Sequence, residues 1–374
     1  MITFFSNYIN DHQIPFCEAM YKLTNGEFRF VATTNMSEER KKLGYLDKSE
    51  QFSFVIKSFE GENYQIALEL GYSSDVVIMG EAPDVFIQKR LAENKLTFRY
   101  NERFFKEGKW RILDPRIFFG CYKAHTRYRK KNLHMLCASA YTAPDCKFIF
   151  AYPNKTYKWG YFPIVKKYEN IENVISTKHT HSILWVARLI PLKHPEYPIL
   201  VAKKLKEAGY DFILKIIGIG PMEEKMRDMI RKYHLEEQVF LLGAMSAEQV
   251  RLHMEQSEIF LFTSNRKEGW GAVMNESMNS ACAVVANGAI GSVPYLIQSG
   301  KNGLIYKNSL SDLYKKTKWL LDNPNRCQEM GKRAYQTLTE TWNAEQATKR
   351  LLQLIDDIKK GRTTRFETGP CSKG

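Results

Sequence analysis

Residues 259–286 read IFLFTSNRKEGWGAVMNESMNSACAVVA. The first four residues, 259–262, are continuously apolar, as a strand covered on both faces requires. Residues 263–271 are polar and carry Gly269 and Gly271, which break any regular element. Residues 272–279 then read as a helix, and residues 283–286 as a second apolar strand. Strand, loop, helix, strand within 28 residues is a βαβ unit, and parallel strands joined this way build an α/β domain.

The same alternation extends in both directions. Strands are expected over 182–186, 212–217 and 239–242. Helices are expected over 195–209, stopped by Gly209, and over 222–233 and 246–256, the last with Ser246 as its N-cap. The first half alternates too. Strands are expected over 2–6, 28–33, 52–56, 76–79 and 96–100, and helices over 14–23, 63–70, 85–93 and 115–128. Residues 152–180 hold Pro153, Gly160, Pro163 and many charges without a long periodic segment, and read as the linker. Two amphipathic helices, 311–322 and 344–359, follow, and residues 360–374 are polar. The resulting division is 1–165, 166–345, a terminal helix at 346–360 and a disordered tail at 361–374. No internal repeat or low-complexity tract is apparent.

Composition narrows the function. The chain has 374 residues, 44% hydrophobic and 26% charged, which excludes a disordered or collagen-like chain. No run of 18 apolar residues suggests a membrane-spanning helix, and MITFFSNYIND reads as a first strand rather than a signal peptide. Net charge is +14, spread evenly over the two halves. Such a surface suits nucleic acid, an anionic membrane or phosphorylated small molecules, or is simply solvated. Seven cysteines, none in a CxxC pair or beside zinc-spaced histidines, read as free thiols of a cytoplasmic protein.

Two loops concentrate the chemistry. In open α/β sheets ligands bind beyond the carboxyl ends of the strands. The loop after 259–262 stands at such an end, where Gly269 and Gly271 permit close backbone approach and the start of the next helix favours an anion. Glu268 precedes that helix and Glu276 lies a turn inside it, so the two can reach different parts of one ligand. The loop after 182–186 carries Arg188 and Lys193, a fork and a point charge able to neutralise a diphosphate.

In order along the chain, these residues resemble retaining GT-B glycosyltransferases of family 4, the glycosyl transferases group 1. The resemblance rests on Arg188-x4-Lys193, the turn Gly218-Ile219-Gly220-Pro221 and the strand at 239–243. It continues through Glu268-x7-Glu276 with Gly269 and Gly271 inside, Gly291-Ser292-Val293-Pro294, Asn302-Gly303 and Trp342. It covers about 182–352. It implies two Rossmann-like domains facing a central cleft, with the C-terminal helix returning to the first. It also implies a nucleotide diphosphate sugar as donor, UDP before GDP, without cofactor or metal. Arg188 and Lys193 would hold the diphosphate, Glu276 the ribose and Glu268 the transferred sugar. The amides of Gly269, Trp270, Gly271 and Ala272 would serve sugar and phosphate, and Gly218 and Met245 would complete the donor site. The lack of an Asp-x-Asp motif points away from metal-dependent GT-A enzymes.

The first half resembles the family less. Asn7-Tyr8-Ile9-Asn10-Asp11-His12-Gln13 stands where many relatives have a glycine-rich loop. Phe98-Arg99-Tyr100-Asn101-Glu102-Arg103, Trp159-Gly160-Tyr161-Phe162-Pro163 and Ser139-Ala140-Tyr141 resemble exopolysaccharide-type enzymes. Asn7, His12, Glu81 and Glu102 are acceptor-side candidates, each against a purely structural alternative. The acceptor implied is a glycan or lipid-linked glycan. Lys123, Arg127, Arg129, Lys130 and Lys131, with Trp110, Phe118, Phe119, Tyr122 and Tyr128, suggest peripheral membrane contact or a half-buried helix with one solvated face. The competing functions are a GT-B-shaped sugar-nucleotide epimerase and a non-catalytic polyanion binder, and no nucleic-acid motif supports the latter.

Overall fold

A computed structural model describes residues 1–38, 46–307 and 309–374. The chain forms two compact units: Met1–Ile164 with Asn343–Gly374, and Val165–Trp342.

The first unit is built on seven parallel strands in the order β3-β2-β1-β4-β5-β6-β7. They are β1 Ile2–Ser6, β2 Phe28–Ala32, β3 Val55–Lys57, β4 Val76–Met79, β5 Thr97–Asn101, β6 Leu133–Cys137 and β7 Thr156–Lys158. The central strands β1, β4 and β6 are buried at every residue. The edge strands β3 and β7 are only half-buried, as edges are. Helix Ile14–Leu23 follows β1, with Pro15 in its first turn, where a missing N–H costs nothing. It packs against the last long helix, Ala344–Lys359, which belongs to this unit.

The second unit has six parallel strands in the order β10-β9-β8-β11-β12-β13. They are β8 His179–Val186, β9 Ile213–Ile217, β10 Val239–Leu241, β11 Ser257–Phe262, β12 Ala283–Asn287 and β13 Leu304–Tyr306. β11 and β12 are wholly buried and form the centre of the core with Trp185, Leu214 and Ile216. Helix Ala247–Gln256 opens with a capping box: Ser246 Oγ accepts from Gln249 N–H, and Gln249 Oε1 accepts from Ser246 N–H.

Both sheets therefore have a Rossmann-like arrangement, with the strand order reversing between β1 and β4 and between β8 and β11.

Several expectations need correction. The expected linker at 152–180 contains β7 and the helix Ile171–Ser176, and β8 starts inside it. A three-residue, half-polar edge strand carries no readable periodicity. Trp159 and Phe162 in that stretch are buried, packed on Phe16. The tail expected to be disordered is folded onto β7. Cys371 N–H donates to Lys158 O and Lys158 N–H to Ser372 O, both at 2.8 Å, while Gly374 N–H donates to Thr156 O at 2.9 Å. Cys371 is fully buried. Helix Pro324–Gln336 and strands β6 and β13 are absent from the sequence expectations. Among the described residues no helix is long and apolar enough to cross a membrane.

Candidate functional site

In the second unit the Arg188/Lys193 loop leaves β8, and the Glu268–Glu276 loop leaves β11. β8 and β11 are hydrogen-bonded neighbours on either side of the strand-order reversal. The two loops found separately in the sequence therefore emerge side by side at the place where this kind of sheet opens a crevice.

They are also bonded to each other. Lys193 Nζ forms an ion pair with Glu268, and each side chain is only 13% exposed. Beneath them, buried Thr263 at the end of β11 donates to Lys193 O at 2.7 Å and accepts from Trp185 Nε1–H at 2.8 Å. Asn265 N–H donates to Leu192 O at 3.0 Å, and Glu268 N–H to Asn265 O at 3.0 Å. His194 takes a left-handed backbone conformation (φ 50°), its Nδ1 lies 2.9 Å from Glu196 Oε1, and its ring stacks on Tyr197. The backbone of Lys193 is thus fixed from three sides, while Arg188 is exposed and carries no ion pair among the described residues.

Gly218 ends β9 against this loop with φ 140°. A Cβ there would stand 1.9 Å from Ala187 O, beside Arg188. Only glycine permits that approach. Gly218 N–H donates to Gly243 O at 2.8 Å, which ties in the segment carrying half-buried Met245.

After β11, Gly269 and Trp270 are buried and Gly271 has φ 78° over the Phe262 ring. The Trp270 indole is fully buried, donates to Asn275 Oδ1 at 2.9 Å and packs on Trp342. Any ligand contact from position 270 therefore comes from its backbone. Ala272 is buried and precedes helix Val273–Asn279, on whose first turn Glu276 sits half-buried.

In the first unit Asn7 at the end of β1 donates from Nδ2 to Glu81 Oε2, just past β4, at 3.0 Å. This pair spans the corresponding strand-order reversal. His12 stacks on Tyr161 with ring centroids 5.7 Å apart. Tyr161 OH donates to Glu102 Oε1 at 2.6 Å, and Glu102 pairs with Lys106. All four acceptor-side candidates thus fall into two bonded clusters at the carboxyl ends of β1, β4 and β5.

Sequence reading misses Thr263, His194 and Asn265, which position Lys193, and Lys106, which pairs with Glu102. Thr263, Asn265 and His194 lie inside the two loops that concentrate the chemistry but were given no role there, and a left-handed histidine leaves no sequence signal. Tyr161 lies in a quoted stretch, but its bond to Glu102 is a tertiary fact. Among the described residues no group of three or more His, Cys, Asp or Glu side chains is gathered to hold a metal ion.

Residues 167–337 match the family model described as glycosyl transferases group 1. A putative colanic acid biosynthesis glycosyltransferase of Salmonella typhimurium is 26% identical over 180 residues, 46% of this chain and 44% of that protein. A poly(ribitol-phosphate) alpha-N-acetylglucosaminyltransferase of Staphylococcus aureus is 27% identical over 194 residues, 51% of this chain and 39% of that protein. The chain thus aligns with less than half the length of these two relatives. The crystal structure of Anabaena HepE in complex with UDP superposes with a TM-score of 0.70 at 12% identity, covering 95% of this chain and 99% of that one. Both units have the Rossmann-like architecture of GT-B structures, and the match to the glycosyl transferases group 1 model falls within the second, Val165–Trp342.

Proposed function

We propose that the chain is a retaining glycosyltransferase. It moves a hexose-type sugar from a nucleotide diphosphate, UDP before GDP, to a hydroxyl of a glycan or lipid-linked glycan. The observation that carries this reading is the meeting of Arg188, Lys193 and the Glu268–Glu276 loop at one strand-order reversal.

The chemistry follows from the charges. Breaking a sugar–phosphate bond develops positive charge at the anomeric carbon and negative charge on the departing diphosphate. Arg188 and Lys193 stabilise that diphosphate; Lys193 does so from a backbone already fixed, so little reorganisation is needed at the transition state. Glu268, on the same ammonium, accepts from hydroxyls of the transferred sugar, and Glu276 from the ribose. The amides of Gly269, Trp270, Gly271 and Ala272 line the donor, with Gly218 and Met245 at its nucleotide end. The reading assigns the diphosphate charge to these two cations and requires neither metal nor cofactor. In the first unit Asn7, Glu81, His12 and Glu102 present hydrogen-bonding groups to the acceptor. The enzyme works in the cytoplasm.

The test is a thermal-shift panel of UDP, GDP, ADP and TDP and their sugar conjugates, on the native protein, Arg188→Ala and Glu276→Ala. A ligand at 100 times its Kd adds about 2.7 kcal/mol of apparent stability. One nucleotide class should stabilise the native protein and lose at least tenfold in affinity in both variants. No shift with any nucleotide overturns the donor reading. Unchanged affinity in Glu276→Ala overturns the ribose assignment.

A further inference from the structure

One surface of the first unit has no part in the chemistry above. Helix Pro115–Ala124 and the short helical turn Lys109–Leu113 before it contain no buried residue. Their inner side is Ile112, Ile117 and Cys121, which pack on the unit's core. Their outer side is apolar as well. Leu113 is 81% exposed, Trp110 63%, Phe119 57%, Phe118 52% and Tyr122 50%. Phe118 and Tyr122 are four residues apart and share a helix face, and Phe118 packs edge-to-face on Phe119. A segment apolar on both sides, one against the core and one uncovered, is not explained by folding.

Charge indicates what covers it. Residues 109–131 contain eight Lys or Arg and one acidic residue, Asp114, which is already paired with Arg116. Lys123, Arg127, Arg129 and Lys130 are exposed around the aromatic face. Arg111 and Arg127 lie over the rings of Trp110 and Tyr128. Exposed rings fringed by cations suit the boundary of an anionic bilayer. There the rings enter the acyl margin, the cations meet lipid phosphates, and Trp and Tyr keep their polar ends in water. A helix of ten residues lies along such a surface and cannot span it.

We infer that the outer face of residues 109–131 docks the first unit on an anionic lipid bilayer. The placement is purposeful with respect to the acceptor-side cluster. β5 ends at Asn101, Glu102 follows, and Phe104 then stacks on His125, the residue just past helix Pro115–Ala124 of the docking segment, with ring centroids 4.7 Å apart. Docking would hold the Glu102 cluster against the membrane that carries a lipid-linked acceptor. The docking itself does not depend on the transferase reading, because it needs neither donor nor acceptor.

Flotation of the full chain on vesicles tests it. Vesicles of phosphatidylcholine alone are compared with vesicles mixed with phosphatidylglycerol, at low and high salt. The chain should float with the anionic vesicles at low salt and be released by high salt. Phe118→Ser/Phe119→Ser, which leaves every charge in place, should cut the bound fraction at least tenfold. Lys123→Glu/Arg127→Glu should do the same, while Trp319→Ser, an exposed aromatic of the second unit, should not. Brominated phosphatidylglycerol should quench fluorescence in the native chain and less in Trp110→Phe. Failure to float at low salt, equal flotation on neutral vesicles, or flotation that survives both double variants overturns the proposal. Self-association abolished by Phe118→Ser/Phe119→Ser without vesicle binding overturns it in favour of a second copy of the chain.

Discussion

At the scale of single residues, the Lys193–Glu268 pair makes the sharpest demand on the transferase reading. Two opposite charges, each largely withdrawn from solvent, neutralise one another. A donor diphosphate must compete with Glu268 for the ammonium, whereas the sugar needs Glu268 as an acceptor. Glu268→Gln separates the two demands. It leaves Lys193 uncompensated in a poorly solvated position, which a diphosphate relieves. UDP should then bind about three- to tenfold more tightly, equivalent to about 0.7–1.4 kcal/mol. Transfer should fall about 100-fold, since a neutral amide holds the sugar hydroxyls less well as charge develops, about 2.7 kcal/mol of barrier. Calorimetry with UDP and turnover with the sugar conjugate read the two effects apart. Weaker UDP binding in the variant would show that Glu268 serves the nucleotide itself.

At the scale of elements, the second unit was legible because its strands are buried on both faces and announce themselves as apolar runs, and because Gly209, Ser246 and the glycines after β11 punctuate them. Helix Pro324–Gln336 shows a missed signal. Cys327, Met330, Gly331, Ala334 and Tyr335 are its buried residues, at spacings of three and four, but its polar face dominates the composition. The bond between the two loops was not legible, because it depends on β8 and β11 being neighbours. Gly218 is where sequence and geometry meet. Its place in a quoted turn was visible, and the structure supplies the reason: a close approach to Ala187 O at φ 140°. Gly218→Ala should therefore strain the backbone at the root of Arg188. Left-handed strain alone costs about 1–3 kcal/mol, which lowers Tm by about 2–12 °C, and UDP affinity should drop at least tenfold. Gly209→Ala is the matched comparison: φ is 76°, but nothing lies within 4 Å of the added Cβ. It should lose stability without losing UDP affinity. Equal nucleotide binding by both variants would mean that Ala187 can move without disturbing the diphosphate loop.

At the scale of the whole chain, the first unit is discontinuous: its sheet comes from the beginning of the sequence, and its outer helix and last covering come from the end. The return of the helix was legible only through the family resemblance, and the order of the tail was not legible at all. Residues 361–374 have no apolar periodicity. They are held by backbone bonds to an edge strand, by Arg362 and Arg365 on Asp357 and by Arg350 donating to Thr368 O. Those two guanidiniums hold the Asp357 carboxyl below its ordinary range, Arg365 by hydrogen bond first. The tail thus covers β7 through an isolated antiparallel bridge, Tyr157 opposite Lys373, where the edge N–H and C=O groups would otherwise be open to another chain. Ending the chain after Lys360 removes three backbone hydrogen bonds to β7, each worth about 1 kcal/mol. The first unit should melt about 6–12 °C lower and aggregate at lower concentration, because an uncovered edge pairs with its copies. Hydrogen exchange should locate the loss in β7 and β6. The second unit contains none of the removed residues, so its stabilisation by UDP should persist with unchanged affinity. A truncated chain that keeps native protection in β7 would show that the edge is held by its own sheet. A chain that also loses UDP binding would show that the two units fold as one cooperative system.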